Sequence, residues 1–146
     1  MMITISKVVK PARITILHLE GKLDRANYES LIDEAQEVYG EGIRDLVLDM
    51  SKLPYISSAG MSALHQVDLL FRGESPPHPD GGWAAFRTVD RDRDKVPQEH
   101  VKLFSPAKEV REVLDLAGFG ALFEIFTDLS KAVSSFHLPA LDMEVR

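Results

Sequence analysis

Residues 44 to 50 read Arg-Asp-Leu-Val-Leu-Asp-Met, an apolar triplet with an acid on either side. Three apolar residues in a row are too few for a helix, and without alternation they fit a strand covered on both faces. Such strands lie inside parallel sheets, which need crossover helices between their strands. The neighbouring segments supply these. Residues 3 to 9, Ile-Thr-Ile-Ser-Lys-Val-Val, and residues 13 to 20, with Ile14, Ile16, Leu17 and Leu19, are β-rich runs joined by Lys10-Pro11-Ala12. They read as a hairpin. From Asp24 the apolar period becomes helical, carried by Tyr28, Leu31, Ile32, Ala35, Val38 and Tyr39, with Asp24 as the expected N-cap and Gly40 and Gly42 as the stop.

Beyond the triplet, a loop from Ser51 to Ile56 leads into a second helical pattern of Ala59, Ala63, Leu64, Val67, Leu70 and Phe71 that ends near Gly73. Val101-Lys102-Leu103-Phe104 resumes strand character. Ser105-Pro106 reads as the N-cap and first-turn proline of a helix that carries Val110, Val113, Leu114 and Ala117 and ends at Gly118. Leu122 to Phe126 gives one more strand, and Asp128 caps a last short helix to about Phe136. A hairpin followed by alternating helices and strands, with right-handed crossovers, predicts an α/β fold. Its mixed sheet has four to five strands, parallel except for the first strand at one edge, with helices packed on it.

The 146 residues fit one domain, with a loop insertion at about 74–98. Glu74 to Gly82 is rich in proline and glycine, Trp83-Ala84-Ala85-Phe86 could add a short strand, and Asp90 to Lys95 alternates acid and base. The two aromatic rings either fold back on the sheet or make the insert an anchor that selects a partner.

Seventeen Lys and Arg against 23 Asp and Glu give a net charge of −6, which disfavours a phosphate-neutralising face and so a nucleic-acid partner. No cysteine is present, and the histidines at 18, 65, 78, 100 and 137 never fall at the i, i+4 spacing of a helical metal pair. Neither a metal nor another cofactor is expected. Polar residues interrupt the apolar ones from Met1 to Lys10, and no stretch is long enough for a membrane span. The expectation is a cytoplasmic chain without membrane insertion.

In parallel sheets, sites form on loops that follow the strand C-termini. Here those are residues 21 to 25 and 51 to 60. The second holds Ser57 and Ser58 at a helix start, where first-turn N–H groups lack partners and the helix dipole favours negative charge. Either serine is a sufficient N-cap, and a phosphate on Ser58 would also be well bound there. Gly60 adds no side chain and leaves the backbone open to a partner. Asp49 is expected to hold a backbone group of the next loop. Residues 56–60, Ile-Ser-Ser-Ala-Gly, lack the leading glycine of the Gly-x-Ser-x-Gly elbow, and no phosphate-cradling Gly-x-x-x-x-Gly-Lys loop occurs. His18 and His65 read as structural or solvated. No enzyme template is met.

Gly21-Lys22-Leu23-Asp24, Leu46-Val47-Leu48-Asp49-Met50-Ser51 and Tyr55-Ile56-Ser57-Ser58-Ala59-Gly60-Met61 together resemble the STAS domain of bacterial anti-sigma factor antagonists. Ser105-Pro106 with Val110 to Gly118 is similar to that family's third helix. The likeness spans about residues 3 to 73 and 99 to 136. It implies a regulatory, non-enzymatic module that docks on a serine-kinase anti-sigma factor and is switched off by serine phosphorylation, with a serine phosphatase reversing the switch. The family's common form is Asp-Ser-Ser/Thr-Gly-Leu. Ser58 therefore stands at the acceptor position and Ser57 at the acid, which leaves Ser57 as a second acceptor. Asp24, Ser57, Ser58, Gly60, Met61 and Leu64 become the implied partner contacts. The alternative from the same resemblance is a phosphorylation-independent scaffold or accessory subunit in a signalling or transport complex.

Overall fold

The computed structural model describes residues 1–9, 13–73 and 98–136. Its strands are β1 (Met2–Val8), β2 (Ile14–Glu20), β3 (Asp45–Lys52), β4 (Gln98–Phe104) and β5 (Phe123–Phe126). The helices, in chain order, are α1 (Tyr28–Gly40), α2 (Ser58–Phe71), α3 (Lys108–Leu116), the single turn α4 (Phe119–Leu122) and α5 at 129–136. The five strands lie in the order β1-β2-β3-β4-β5. β1 is antiparallel to β2 and all other pairs are parallel, as the hairpin and the crossovers require.

The triplet Leu46-Val47-Leu48 sits in the central strand and is fully buried. Leu46 and Leu48 face the larger core, with Leu31 and Ala35 of α1, Met61, Leu64 and Val67 of α2, and Val110 and Leu114 of α3. Val47 faces the opposite core with Ile14, Ile16 and Ala132 of α5. Period-2 alternation on β2 and β3 thus sends successive side chains to two separate cores.

Two helix starts differ from expectation. α1 begins at Tyr28 after the N-cap residue Asn27, so Asp24 is not the cap. Its Oδ1 accepts the Ala26 N–H at 3.0 Å and its carbonyl accepts the Tyr28 N–H, while Asn27 Oδ1 takes the Asp24 N–H. Asp24 therefore opens a turn that delivers the chain to the helix. α3 begins at Lys108, and Ser105, with φ of 51°, is left-handed and not in the extended geometry of an N-cap. Its N–H bonds to the Phe126 carbonyl and ties β4 to the end of β5. The expected helix ends are found: Gly42, Gly73 and Gly118 all take positive φ just beyond α1, α2 and α3. The turn at 10–12, the insert with Trp83 and Phe86, His78 and His137 lie outside the described residues.

Candidate functional site

The two loops singled out by the strand-end rule form one surface. Gly21 donates to the Lys52 carbonyl at 3.0 Å, Leu23 to that of Tyr55 at 3.1 Å, and Ser57 to that of Leu23 at 2.9 Å. Leu23 and Ile56 form a parallel bridge. Past this bridge residues 24–27 turn into α1, while Ser57 and Ser58 open α2.

Ser57 is the N-cap of α2, in extended geometry (φ −93°, ψ 176°), and its Oγ accepts the Gly60 N–H at 3.2 Å. Ser58 is the first helical residue and is exposed. The two serines are thus divided: one hydroxyl holds the helix end, the other faces outward. Asp24, half-buried, shares this rim.

Three implied contact residues are corrected by burial. Gly60 is buried, and a Cβ there would lie 2.8 Å from Ile56 Cγ1, 2.9 Å from Leu23 Cγ and 2.9 Å from the Leu23 carbonyl oxygen. Its lack of a side chain allows the first turn of α2 to close on the Leu23–Ile56 bridge; it does not open the backbone to a partner. Met61 and Leu64 are 0% exposed and belong to the larger core. The exposed residues on these two paired loops are instead Lys22, Arg25, Lys52, Pro54 and Tyr55. Tyr55, 49% exposed, was hidden in the sequence inside an otherwise core-like motif.

A second constellation escaped the sequence reading altogether. His18 Nε2 lies 2.8 Å from Ser6 Oγ, and His18 Nδ1 lies 2.6 Å from Asp49 Oδ2. Asp49 Oδ1 accepts the Ser51 N–H at 3.0 Å, the loop contact expected of it. Burial raises the Asp49 pKa, but the hydrogen bonds from Ser51 and His18 and the charge of His18 outweigh it, so the carboxyl sits below its ordinary value. Ser6, His18 and Asp49 repeat the atom order of a hydrolytic triad. Hydrolysis also needs donors converging on an oxyanion. In a sheet the backbone N–H groups lie in its plane, whereas Ser6 Oγ stands off its face. The chain of hydrogen bonds joins β1, β2 and β3 as a clamp and, through Ser51, holds the exit of β3 toward the Ser58 loop. The signal for it lay in the strand parity, which puts positions 6, 18 and 49 on one face.

Helix α2 is buried on its polar side as well. His65 is not solvated but fully buried, and Ser62, Gln66 and Asp68 are buried with it. Asp68 Oδ1 accepts from Arg72 Nε and from Gln98 Nε2, both at 2.7 Å, which pins the helix to the start of β4. No helix among the described residues is long and apolar enough to cross a membrane.

Comparison with known proteins agrees with this architecture. Residues 6–72 match the STAS domain model. The chain is 30% identical over 118 residues, 81% of its length and 82% of the other's, to BtrV of Bordetella bronchiseptica, a protein assigned as an anti-sigma factor antagonist. Its fold is similar to that of an anti-sigma factor antagonist from Thermotoga maritima, with a TM-score of 0.68 at 16% identity over 92% of this chain and 94% of that one. Bacillus SpoIIAA in its phosphorylated form gives a TM-score of 0.52 at 15% identity, covering 91% of this chain and 97% of that one. The chain belongs to the STAS domain family, and within it groups with proteins named anti-sigma factor antagonists.

Proposed function

We propose that this chain is an anti-sigma factor antagonist whose docking surface is the rim around Ser58. It binds a serine-kinase anti-sigma factor and thereby frees a sigma factor. The kinase phosphorylates Ser58 to end the docking, and a serine phosphatase restores it. The observation that carries this reading is the division of labour between the serines: Ser57 Oγ is committed to the Gly60 N–H, whereas Ser58 is exposed at the helix start. Ser57 occupies the place of the family's usual acid, and serine and aspartate are equivalent N-caps, so the departure from the family pattern keeps the cap.

A phosphate on Ser58 adds about −1.5 to −2 charge and three acceptor oxygens. At the first turn of α2 it is favourable to its own helix, so the modified protein stays folded. Against a partner surface fitted to a neutral hydroxyl it is desolvated without compensation, and a loss of about 3 kcal/mol weakens docking on the order of a hundredfold. Kinase assays with ATP followed by mass mapping test the acceptor, and binding of Ser58→Asp and Ser58→Ala to the kinase tests the switch. Ser58→Ala retains binding and Ser58→Asp loses it. Equal binding by both variants, or a phosphate mapped to Ser57, refutes the reading.

A further inference from the structure

Burial of Met61 and Leu64 removes the apolar contacts that the sequence nominated and leaves a different surface around Ser58. That surface is cationic on an acidic protein. Lys22, Arg25 and Lys52 are exposed, and none forms an ion pair with another described residue. The acids on the same loops are Asp24, whose Oδ1 is held by the Ala26 N–H, and Glu20, opposite Lys52 in the strand register. Counting side chains alone, three cations against two carboxylates leave an excess of +1 here, so the other side chains of the −6 chain carry −7. Tyr55, 49% exposed next to exposed Pro54 on the same loops, is a large ring offered to a partner.

Resting on the proposed docking at Ser58, we infer that the partner face is acidic, with an apolar socket for Tyr55, and that Lys22, Arg25 and Lys52 set the rate at which the two proteins meet. An excess of cations on one face of an otherwise acidic surface orients an incoming partner and accelerates association. Exposed aromatics at an interface centre anchor it once formed. Phosphorylation of Ser58 then has a second effect beside local desolvation. Adding about −2 turns the rim from net positive to net negative, so the acidic partner is repelled before contact.

The test is surface binding kinetics with each ATP-binding serine-kinase anti-sigma factor encoded in the genome that carries this chain, at low and moderate salt. Variants are Lys22→Glu with Arg25→Glu, Tyr55→Ala and Ser58→Asp, with circular dichroism as the folding control. The double charge reversal should slow association about tenfold at low salt and flatten its salt dependence. Tyr55→Ala should leave association unchanged and weaken affinity about 30-fold through faster dissociation. If Ser58→Asp abolishes binding while the charge-reversed and Tyr55 variants bind like the natural chain, the inference is overturned and the proposed function stands. If no such kinase binds the natural chain, or Ser58→Asp binds equally well, both fall.

Discussion

Replacing Gly60 by alanine sets two well-known effects against each other at one methyl group. In a helix, Gly→Ala is favourable by about 1 kcal/mol because it removes backbone freedom from the unfolded chain. At position 60, however, the new Cβ would lie 2.9 Å from the Leu23 carbonyl oxygen, a backbone atom, as well as 2.8 Å from Ile56 Cγ1. That carbonyl already accepts the Ser57 N–H at 2.9 Å, so it cannot retreat without stretching the bond that holds the cap residue. Overpacking of this kind costs roughly 1–3 kcal/mol, and contact with a hydrogen-bonded backbone atom puts the cost in the upper part of that range. The net expectation is a loss of about 1–2 kcal/mol, or roughly 2–8 °C in Tm for a chain of this length. Gly40 is the internal control. At the end of α1 its Cβ would meet nothing within 4 Å, so Gly40→Ala should be neutral or stabilising by a few tenths of a kcal/mol. Urea unfolding followed by far-ultraviolet circular dichroism reads both. Gly60→Ala as stable as the natural chain would refute the close packing of α2 on the Leu23–Ile56 bridge.

Ser57→Ala deprives the Gly60 N–H of its acceptor and should cost about 1 kcal/mol in thermal melts, whereas Ser58→Ala should stay within roughly 0.5 kcal/mol; similar losses at both positions would contradict the assignment of the cap to Ser57. Asp49→Asn weakens the bonds to His18 and Ser51 and should cost roughly 1–2 kcal/mol at neutral pH. Because the Asp49 carboxyl is depressed in the folded protein, its contribution is complete above its ordinary value of 3.8 and is lost as pH falls through the lower folded value. The stability gap between the natural chain and Asp49→Asn should therefore narrow as pH is lowered below 3.8, and a constant gap throughout the acid range in urea titrations would remove the clamp from the account.

The sheet was legible because its central strand is apolar without alternation: Leu46, Val47 and Leu48 leave no polar side for water, and all three are buried. The helix ends were legible at Gly42, Gly73 and Gly118 because a left-handed residue beyond a helix is a local requirement. Helix starts were less so. A side chain suited to capping identifies the neighbourhood, but Asp24 lies three residues upstream of the actual cap residue and Ser105 is held by a long-range bond to Phe126. The contact surface was misjudged for a different reason. Helical spacing tells which residues share a face, and polarity then selects the outer one, yet α2 buries Ser62, His65, Gln66 and Asp68 along with Met61 and Leu64. Tyr55 went unnoticed because exposure of a loop residue depends on how the two loops pair, as did the Ser6–His18–Asp49 clamp, whose members are 12 and 31 residues apart.

The burial of α2 also limits how any switch at Ser58 can operate. A phosphate could act by moving the helix or by changing the surface. Movement is opposed at both ends: the first turn is closed on Leu23 and Ile56 with no room for a Cβ at Gly60, and the last turns are pinned by Asp68 to Gln98 at the start of β4. Between these ends Met61, Leu64 and Val67 interdigitate with the sheet in the larger core, and sliding such a helix would break many close-packed contacts at once. A dianion at a helix N-terminus moreover favours the existing conformation, so it offers no force to drive the helix elsewhere. The remaining route is the surface itself, where a charge change of about −2 exceeds the +1 of the rim and reverses its sign without displacing a backbone atom.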